Sequence, residues 1–82
     1  MDINKKEIID INGVYQSQLY SNWFAAQIIV KRKGVYFRIR CPYNSLEKAT
    51  DAIEFFKNKR LTMPKMDYNP IIHVCDRNGH VR

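Results

Sequence analysis

The six residues from Val35 to Arg40, Val-Tyr-Phe-Arg-Ile-Arg, alternate strictly between two sets of side chains. Successive side chains of a β-strand point to opposite faces of a sheet, so each set occupies one face. The two sets are Val35, Phe37 and Ile39 on one face and Tyr36, Arg38 and Arg40 on the other. This pattern predicts a strand that packs one face on a core and presents two guanidinium groups and an aromatic ring on the other.

Two further strands are predicted before this one. Trp23 to Val30 is rich in aromatic and β-branched residues, and Gly13 to Ser17 is a plausible shorter strand. A polar turn at Leu19 to Asn22 joins the two. The basic segment Lys31-Arg32-Lys33-Gly34 forms the next turn, in which the glycine supplies a positive φ angle. Three strands joined by short turns predict an antiparallel meander.

A helix is predicted after Pro42, which cannot donate to a strand ladder. Either Asn44 or Ser45 caps it, and Asn44 with Glu47 three residues later matches a capping box. The helix is expected from Leu46 to Lys59, with an apolar stripe of Leu46, Ala49, Ile53 and Phe56. The predicted fold class is therefore α+β: a three-stranded antiparallel sheet with one helix on one face and the other face open.

The chain of 82 residues is expected to form a single small domain. Residues 1–12 are interpreted as a leader, in which Asp2 caps a short helix or the backbone is extended. Residues 13–60 form the sheet and helix. Residues 61–82 are a connector followed by a short strand, Ile71 to Cys75, and a turn at Asp76 to Gly79 that indicates a terminal hairpin.

The net charge of the chain favours particular classes of binding partner. Fourteen Lys and Arg residues stand against eight Asp and Glu, for a net charge of +6. Such a balance favours nucleic acid or an anionic membrane surface as a partner. No apolar run approaches the ~20 residues that span a bilayer, and the first residues lack the apolar core of a signal peptide. An intracellular protein with two reduced thiols, Cys41 and Cys75, is expected.

Metal binding and catalysis find little support in the sequence. The spacing of Cys41, His73, Cys75 and His80 matches no familiar zinc site, which uses paired ligands. The acidic residues are scattered, and there is no phosphate-binding glycine loop, Ser-His-Asp set or metalloprotease motif. We therefore predict a protein that is not an enzyme and that needs neither a metal nor a cofactor.

A family resemblance is carried by short segments that occur in a consistent order. They are Gly13-Val14, Trp23, Ala25-Ala26-Gln27-Ile28, the basic turn with Gly34, and Ser45-Leu46-Glu47-Lys48-Ala49. The stretch from Gly13 to Lys59 resembles the Apetala (ethylene-response-factor) DNA-binding domain, which also occurs in mobile-element integrases and nucleases. The resemblance implies a three-stranded sheet that enters the major groove of duplex DNA, with a helix behind it, and a role in transcription regulation.

Residues that would contact DNA follow from the resemblance and from the predicted faces together. They are Tyr15, Ser17, Gln27, Lys31, Arg32, Lys33, Tyr36, Arg38 and Arg40. Arginine matches guanine and phosphate acceptors bidentately, and lysines in a turn neutralise phosphate. The first strand here lacks the arginines that the family often has. Recognition would therefore depend mainly on Arg38 and Arg40.

The faces of the second strand admit two registers, because both sides of Trp23 to Val30 are largely apolar. In the first register, Ala26 and Ile28 face the core and Gln27 faces outward; in the second, Trp23 is a core residue and the faces are exchanged. The first is favoured because a buried Gln27 would need hydrogen-bond partners. A second apolar face on this strand also suits a protein partner or a homodimer.

Alternatives to DNA binding follow from the same features. Phe55 lies off the apolar stripe of the helix, so the leader, the tail or a second protomer must cover it. A small phage-type interaction or inhibitor module would use the basic face on an acidic protein or a ribonucleoprotein. The targeting domain of a nuclease is a third reading, since fold does not determine function.

Overall fold

The computed structural model describes residues 3–82 and shows an α+β fold. A 3₁₀ helix, Lys5–Glu7, leads into strand β1 (Ile8–Gln16), followed by β2 (Phe24–Arg32), β3 (Val35–Tyr43), helix α1 (Leu46–Phe56) and β4 (Ile71–Cys75). The strands form one antiparallel sheet in the order β1-β2-β3-β4. The predicted meander, the helix and the C-terminal strand are all confirmed. The suggested cap at Asp2 lies outside the described residues.

Helix α1 packs on one face of the sheet, which we call the inner face, and the opposite face is the outer face. Alternate residues of β2 and β3 on the inner face build the core with α1: Ala26, Ile28, Val30, Ile39, Cys41, Tyr43, Ala49, Ala52, Ile53 and Phe56. Gln27 thus faces outward, and the first of the two predicted registers is correct.

Strand β1 is longer than predicted, because it begins at Ile8 rather than at Gly13. Its register with β2 shifts between Ile8 and Asp10 and again between Ile11 and Gly13. The two shifts let Ile8 and Ile11 both pack on the core although they are three residues apart. Residues 8–12 of the predicted leader are therefore part of the sheet. This segment lacks strict alternation of apolar and polar residues, which concealed the strand.

The turn between β2 and β3 is tighter than predicted, and it alters the place of Arg32. Only Lys33 and Gly34 form it, with φ angles of 51° and 81°. Positive φ at both central residues is what a two-residue hairpin turn of type I′ requires. Arg32 belongs to β2, opposite Val35 and on the inner face, where its Nη2 lies 2.7 Å from Oε1 of Glu7.

Helix α1 ends at Phe56 rather than at Lys59, because Asn58 adopts the left-handed region with φ 65°. The amides of Asn58 and Lys59 donate to the carbonyls of Phe55 and Glu54, which is a Schellman-type termination. At the other end Ser45 is the cap, since its side chain accepts a hydrogen bond from the Lys48 amide. Leu46 is exposed, contrary to prediction.

The leader covers Phe55. The Nζ of Lys5 lies 3.7 Å above the centroid of its ring and donates to Oδ1 of Asn58 at 3.2 Å. Ile3 packs on the same core. Of the three covers considered for Phe55, the chain's own N-terminal segment is the one found.

Candidate functional site

The outer face of the sheet gathers most of the residues predicted to bind a ligand. Register places Tyr15 beside Ala25, Gln27 beside Arg40, and Lys31 beside Tyr36. It also places Arg38 beside His73 of β4. Three neighbouring strands and one added by the C-terminal segment thus contribute to a single surface.

A chain of hydrogen bonds crosses this surface and orients Arg40. Its Nε donates to Oε1 of Gln27 at 2.8 Å, and Nε2 of Gln27 donates to Oδ1 of Asn12 at 3.2 Å. Nδ2 of Asn12 in turn donates to Oδ2 of Asp10 at 3.1 Å. Both ends of the Gln27 amide are therefore used within the protein, and Gln27 holds Arg40 in place rather than presenting a free amide.

Aromatic rings support the same arginine. The guanidinium carbon of Arg40 lies 3.9 Å from the centroid of the Tyr15 ring, and the Tyr15 ring meets Trp23 edge-on with centroids 6.1 Å apart. Stacking on an aromatic face restrains a guanidinium group and keeps its edge available to a ligand. Sequence reasoning placed Trp23 on this face but did not include it among the contact residues.

Arg38 is the other guanidinium group of the site. Its Nη2 lies 3.4 Å from Nδ1 of His73, and within residues 3–82 its buried Nε has no hydrogen-bond partner. Desolvation, and then the positive charge of Arg38, lower the pKa of Arg40. The two cationic groups thus lie near each other on the same face of β3.

Several basic side chains elsewhere are neutralised by carboxylates: Arg32 by Glu7, Lys48 by Asp67 and Arg60 by Asp51. Across the described part of the chain, neither Arg38 nor Arg40 makes such an ion pair. Arg38 and Arg40 therefore place two cationic groups without a carboxylate partner among the described residues on the outer face.

The outer face is not fully open, contrary to prediction. The turn after β4 folds over it and buries Ile29, and a Cβ atom added at Gly79 would lie 3.0 Å from Cδ1 of Ile29. Ala25 is also fully buried. The apolar outer side of β2 is thus covered by the protein itself, and the expected second apolar docking surface is absent from the described structure.

The remaining residues that were predicted to contact DNA do not form one cluster. Lys31 and Lys33 are exposed, and Nζ of Lys31 lies 5.4 Å from the centroid of the half-buried Tyr36 ring. Oγ of Ser17 accepts hydrogen bonds from the amides of Leu19 and Tyr20, so it shapes the loop between β1 and β2. Arg32 is engaged with Glu7 on the inner face and does not belong to the site.

The two thiols do not share a site. Cys41 belongs to the core on the inner face, whereas Cys75 lies opposite Tyr36 on the outer face. Burial raises the pKa of the Cys41 thiol to about 12, and it also raises that of Cys75. No cluster of three potential metal-ligating side chains occurs within residues 3–82. Over the same residues, no helix is long and apolar enough to cross a membrane.

Comparison with protein-family models, with curated proteins and with solved structures found no match to this chain. The resemblance to the Apetala domain therefore stays a prediction. Some members of the site had no signal in the sequence. Asn12 reaches Gln27 through a register shift of β1, and His73 reaches Arg38 only because β4 pairs with β3.

Proposed function

We propose that this protein binds double-stranded DNA through the outer face of its sheet, with Arg38 and Arg40 as the main contacts. The observation that carries the proposal is the pair of adjacent guanidinium groups that lack carboxylate partners, while Arg32, Lys48 and Arg60 are neutralised. A polyanion with closely spaced phosphates is the ligand that such a pair suits best.

The positions of the other outer-face residues support a division of roles. Gln27 and Tyr15 hold Arg40, and Lys31 and Lys33 extend the positive charge toward the turn between β2 and β3. Positioned guanidinium groups can read guanine acceptors in the major groove, whereas exposed lysines contribute phosphate contacts without sequence information. Transcription regulation, which the family resemblance implies, would require that duplexes selected from a random pool share a preferred sequence.

An intracellular location belongs to the same proposal, since DNA is the ligand. Cys41 and Cys75 are free and lie on opposite faces of the sheet, as suits a compartment in which thiols stay reduced.

Binding of a labelled random-sequence duplex, measured by fluorescence anisotropy over a series of salt concentrations, tests the proposal. We expect log affinity to fall linearly with log salt, with a slope of about −0.9 per phosphate neutralised. Arg38→Ala and Arg40→Ala should each weaken binding and reduce the slope by about one.

The matched control is Arg60→Ala, which removes the same charge from a residue paired with Asp51 beyond the end of α1. It should weaken duplex binding much less. The proposal is wrong if the wild-type protein does not bind at low salt, or if all three variants lose the same affinity. The latter result would mean that net charge alone drives binding. Tight binding to an acidic protein without any to DNA would favour the interaction-module alternative.

A further inference from the structure

A small aromatic pocket lies at the edge of the outer face, where the loop between β1 and β2 meets the connector after α1. It is lined by Tyr20, Asn22, Trp23 and Tyr68 and has a volume of about 270 Å³. This volume lies below the range of ~300–1,000 Å³ that drug-sized ligands occupy. A single planar ring system is therefore the size of ligand that the pocket would hold.

The aromatic rings of this pocket are held by the fold, yet they stay accessible. Tyr20 is 64% exposed and Tyr68 is 45% exposed, while Trp23 is half-buried. The Asp67 amide, next to Tyr68, donates to the Pro42 carbonyl at 3.2 Å, and this contact fixes the connector beside the end of β3. Accessible rings converging from separate segments form a platform on which a flat ligand can stack.

Continuity with the arginine pair indicates which flat ligand this is. The Trp23 ring contacts Tyr15 at a centroid distance of 6.1 Å, and Tyr15 lies 3.9 Å from the Arg40 guanidinium carbon. Aromatic rings beside a cationic groove are the arrangement with which proteins bind unpaired nucleotides, since bases stack and phosphates meet the cations. The exposed Asn22 amide adds a donor and an acceptor, as a base edge requires.

We infer that this pocket binds one unpaired nucleotide base, so that the preferred ligand is a DNA duplex carrying a single-stranded extension. A base inside a duplex would have to be unpaired and unstacked before it could enter a pocket, so an already unpaired base is the favoured occupant. The inference rests on the proposed DNA binding and adds a ligand class to it. A proline-rich peptide also docks on aromatic grooves, but it would leave Arg38 and Arg40 without an anion.

Trp23 is the only tryptophan of the chain, and its fluorescence therefore reports on the pocket directly. The ligands compared are a blunt duplex, the same duplex with a short single-stranded extension, the single strand alone and a proline-rich peptide. We expect the extended duplex to quench Trp23 and to bind about tenfold more tightly than the blunt duplex, since one base stacked on an aromatic ring contributes an effect of roughly this size.

Variants of the exposed rings separate this site from the arginine pair and leave the reporter intact. Tyr68→Ala and Tyr20→Ala should abolish the quenching and the preference for the extension without changing affinity for the blunt duplex. Leu61→Ala is the control, because Leu61 is 98% exposed and does not line the pocket. The Leu61→Ala variant should retain the full preference for the extended duplex.

Failure of this inference can be told from failure of the proposed function. Equal affinity for blunt and extended duplexes, without quenching, overturns the pocket assignment and leaves duplex binding in place. Quenching by the single strand, lost in Tyr68→Ala, with no binding of the blunt duplex, supports the pocket and contradicts the duplex proposal. Quenching by the peptide alone overturns the inference.

Discussion

The guanidinium carbon of Arg40 lies 3.9 Å from the centroid of the Tyr15 ring, although β2 separates the strands that carry these two residues. The contact spans β2, where Gln27 accepts a hydrogen bond from Nε of Arg40. An arginine held from two sides loses little further side-chain entropy when it binds a ligand. This preorganisation distinguishes Arg40 from the exposed lysines of the neighbouring turn.

The stacking of Arg40 on Tyr15 predicts an energetic coupling between the two side chains. In a double-mutant cycle of Tyr15→Leu and Arg40→Met, we expect a coupling free energy of about 0.5–1 kcal/mol. The free energy of unfolding in urea measures it. A parallel cycle of Tyr20→Leu with Arg40→Met should be additive, since Tyr20 is exposed and the structure shows no contact between its ring and Arg40. Coupling of the same size in both cycles would contradict a specific ring contact.

The close approach of the C-terminal turn to β2 predicts that Gly79→Ala is more harmful than Gly34→Ala. Both glycines have positive φ angles, 88° and 81°, so alanine is strained at either position by about 1–2 kcal/mol. Only at Gly79 would the new methyl group also lie 3.0 Å from Cδ1 of Ile29, whereas at Gly34 it would meet open space. Urea denaturation of both variants gives the comparison.

Shortening Ile29 tests whether that contact is the cause. Ile29→Val removes Cδ1 and by itself should destabilise the fold by about 0.5–1.5 kcal/mol. When it is combined with Gly79→Ala, the loss should be smaller than the sum of the two single losses, since the crowded atom is gone. Strict additivity would show that the turn does not press on β2.

The hydroxyl of Tyr43 predicts a measurable loss of stability in Tyr43→Phe. The side chain is fully buried, and its hydroxyl donates to the Pro64 carbonyl at 2.7 Å. Removing the donor leaves a part-buried carbonyl without this partner, at a cost of about 1–3 kcal/mol. Tyr68→Phe serves as the control in the same denaturation experiment, because Tyr68 is 45% exposed whereas Tyr43 is fully buried. A neutral Tyr43→Phe would mean that water replaces the lost donor.

The ion pair between Glu7 and Arg32 predicts a loss of stability in acid. Hydrogen bonds from Arg32 favour the carboxylate and lower the pKa of Glu7 below its ordinary value of 4.5. The folded-state pKa is thus below the unfolded one. The stabilisation is present above pH 4.5 and is lost as the pH falls through the folded-state value.

Thermal unfolding of the wild-type protein and of Glu7→Gln between neutral and acid pH measures this effect. The difference in Tm should be largest at neutral pH and should shrink below pH 4.5. Glu47→Gln is the control, because it removes a carboxylate from the exposed first turn of α1 and leaves the Glu7–Arg32 ion pair intact. A difference that persists unchanged into acid would contradict the assignment.

Prediction from sequence succeeded where the signal was local and regular. The alternation of Val35 to Arg40 predicted β3 with its two faces, and the need for Gln27 to avoid the core selected the register of β2. It failed where irregular backbone mattered. The register shifts of β1 concealed the strand from Ile8 onward, and the left-handed Asn58 ended α1 early. Neither the register shifts nor the left-handed residue produces a pattern that repeats along the chain.

The chain by itself determined the α+β class, the meander and the placement of Arg38 and Arg40 on one face, because side-chain periodicity depends only on neighbouring residues. Tertiary structure alone decided which basic groups are neutralised, since Glu7 and Arg32 are distant in sequence and meet only when β1 pairs with β2. It also decided that the C-terminal turn buries Ile29 and that Tyr68 joins Trp23 in a pocket. These contacts join distant segments, and no local pattern encodes them.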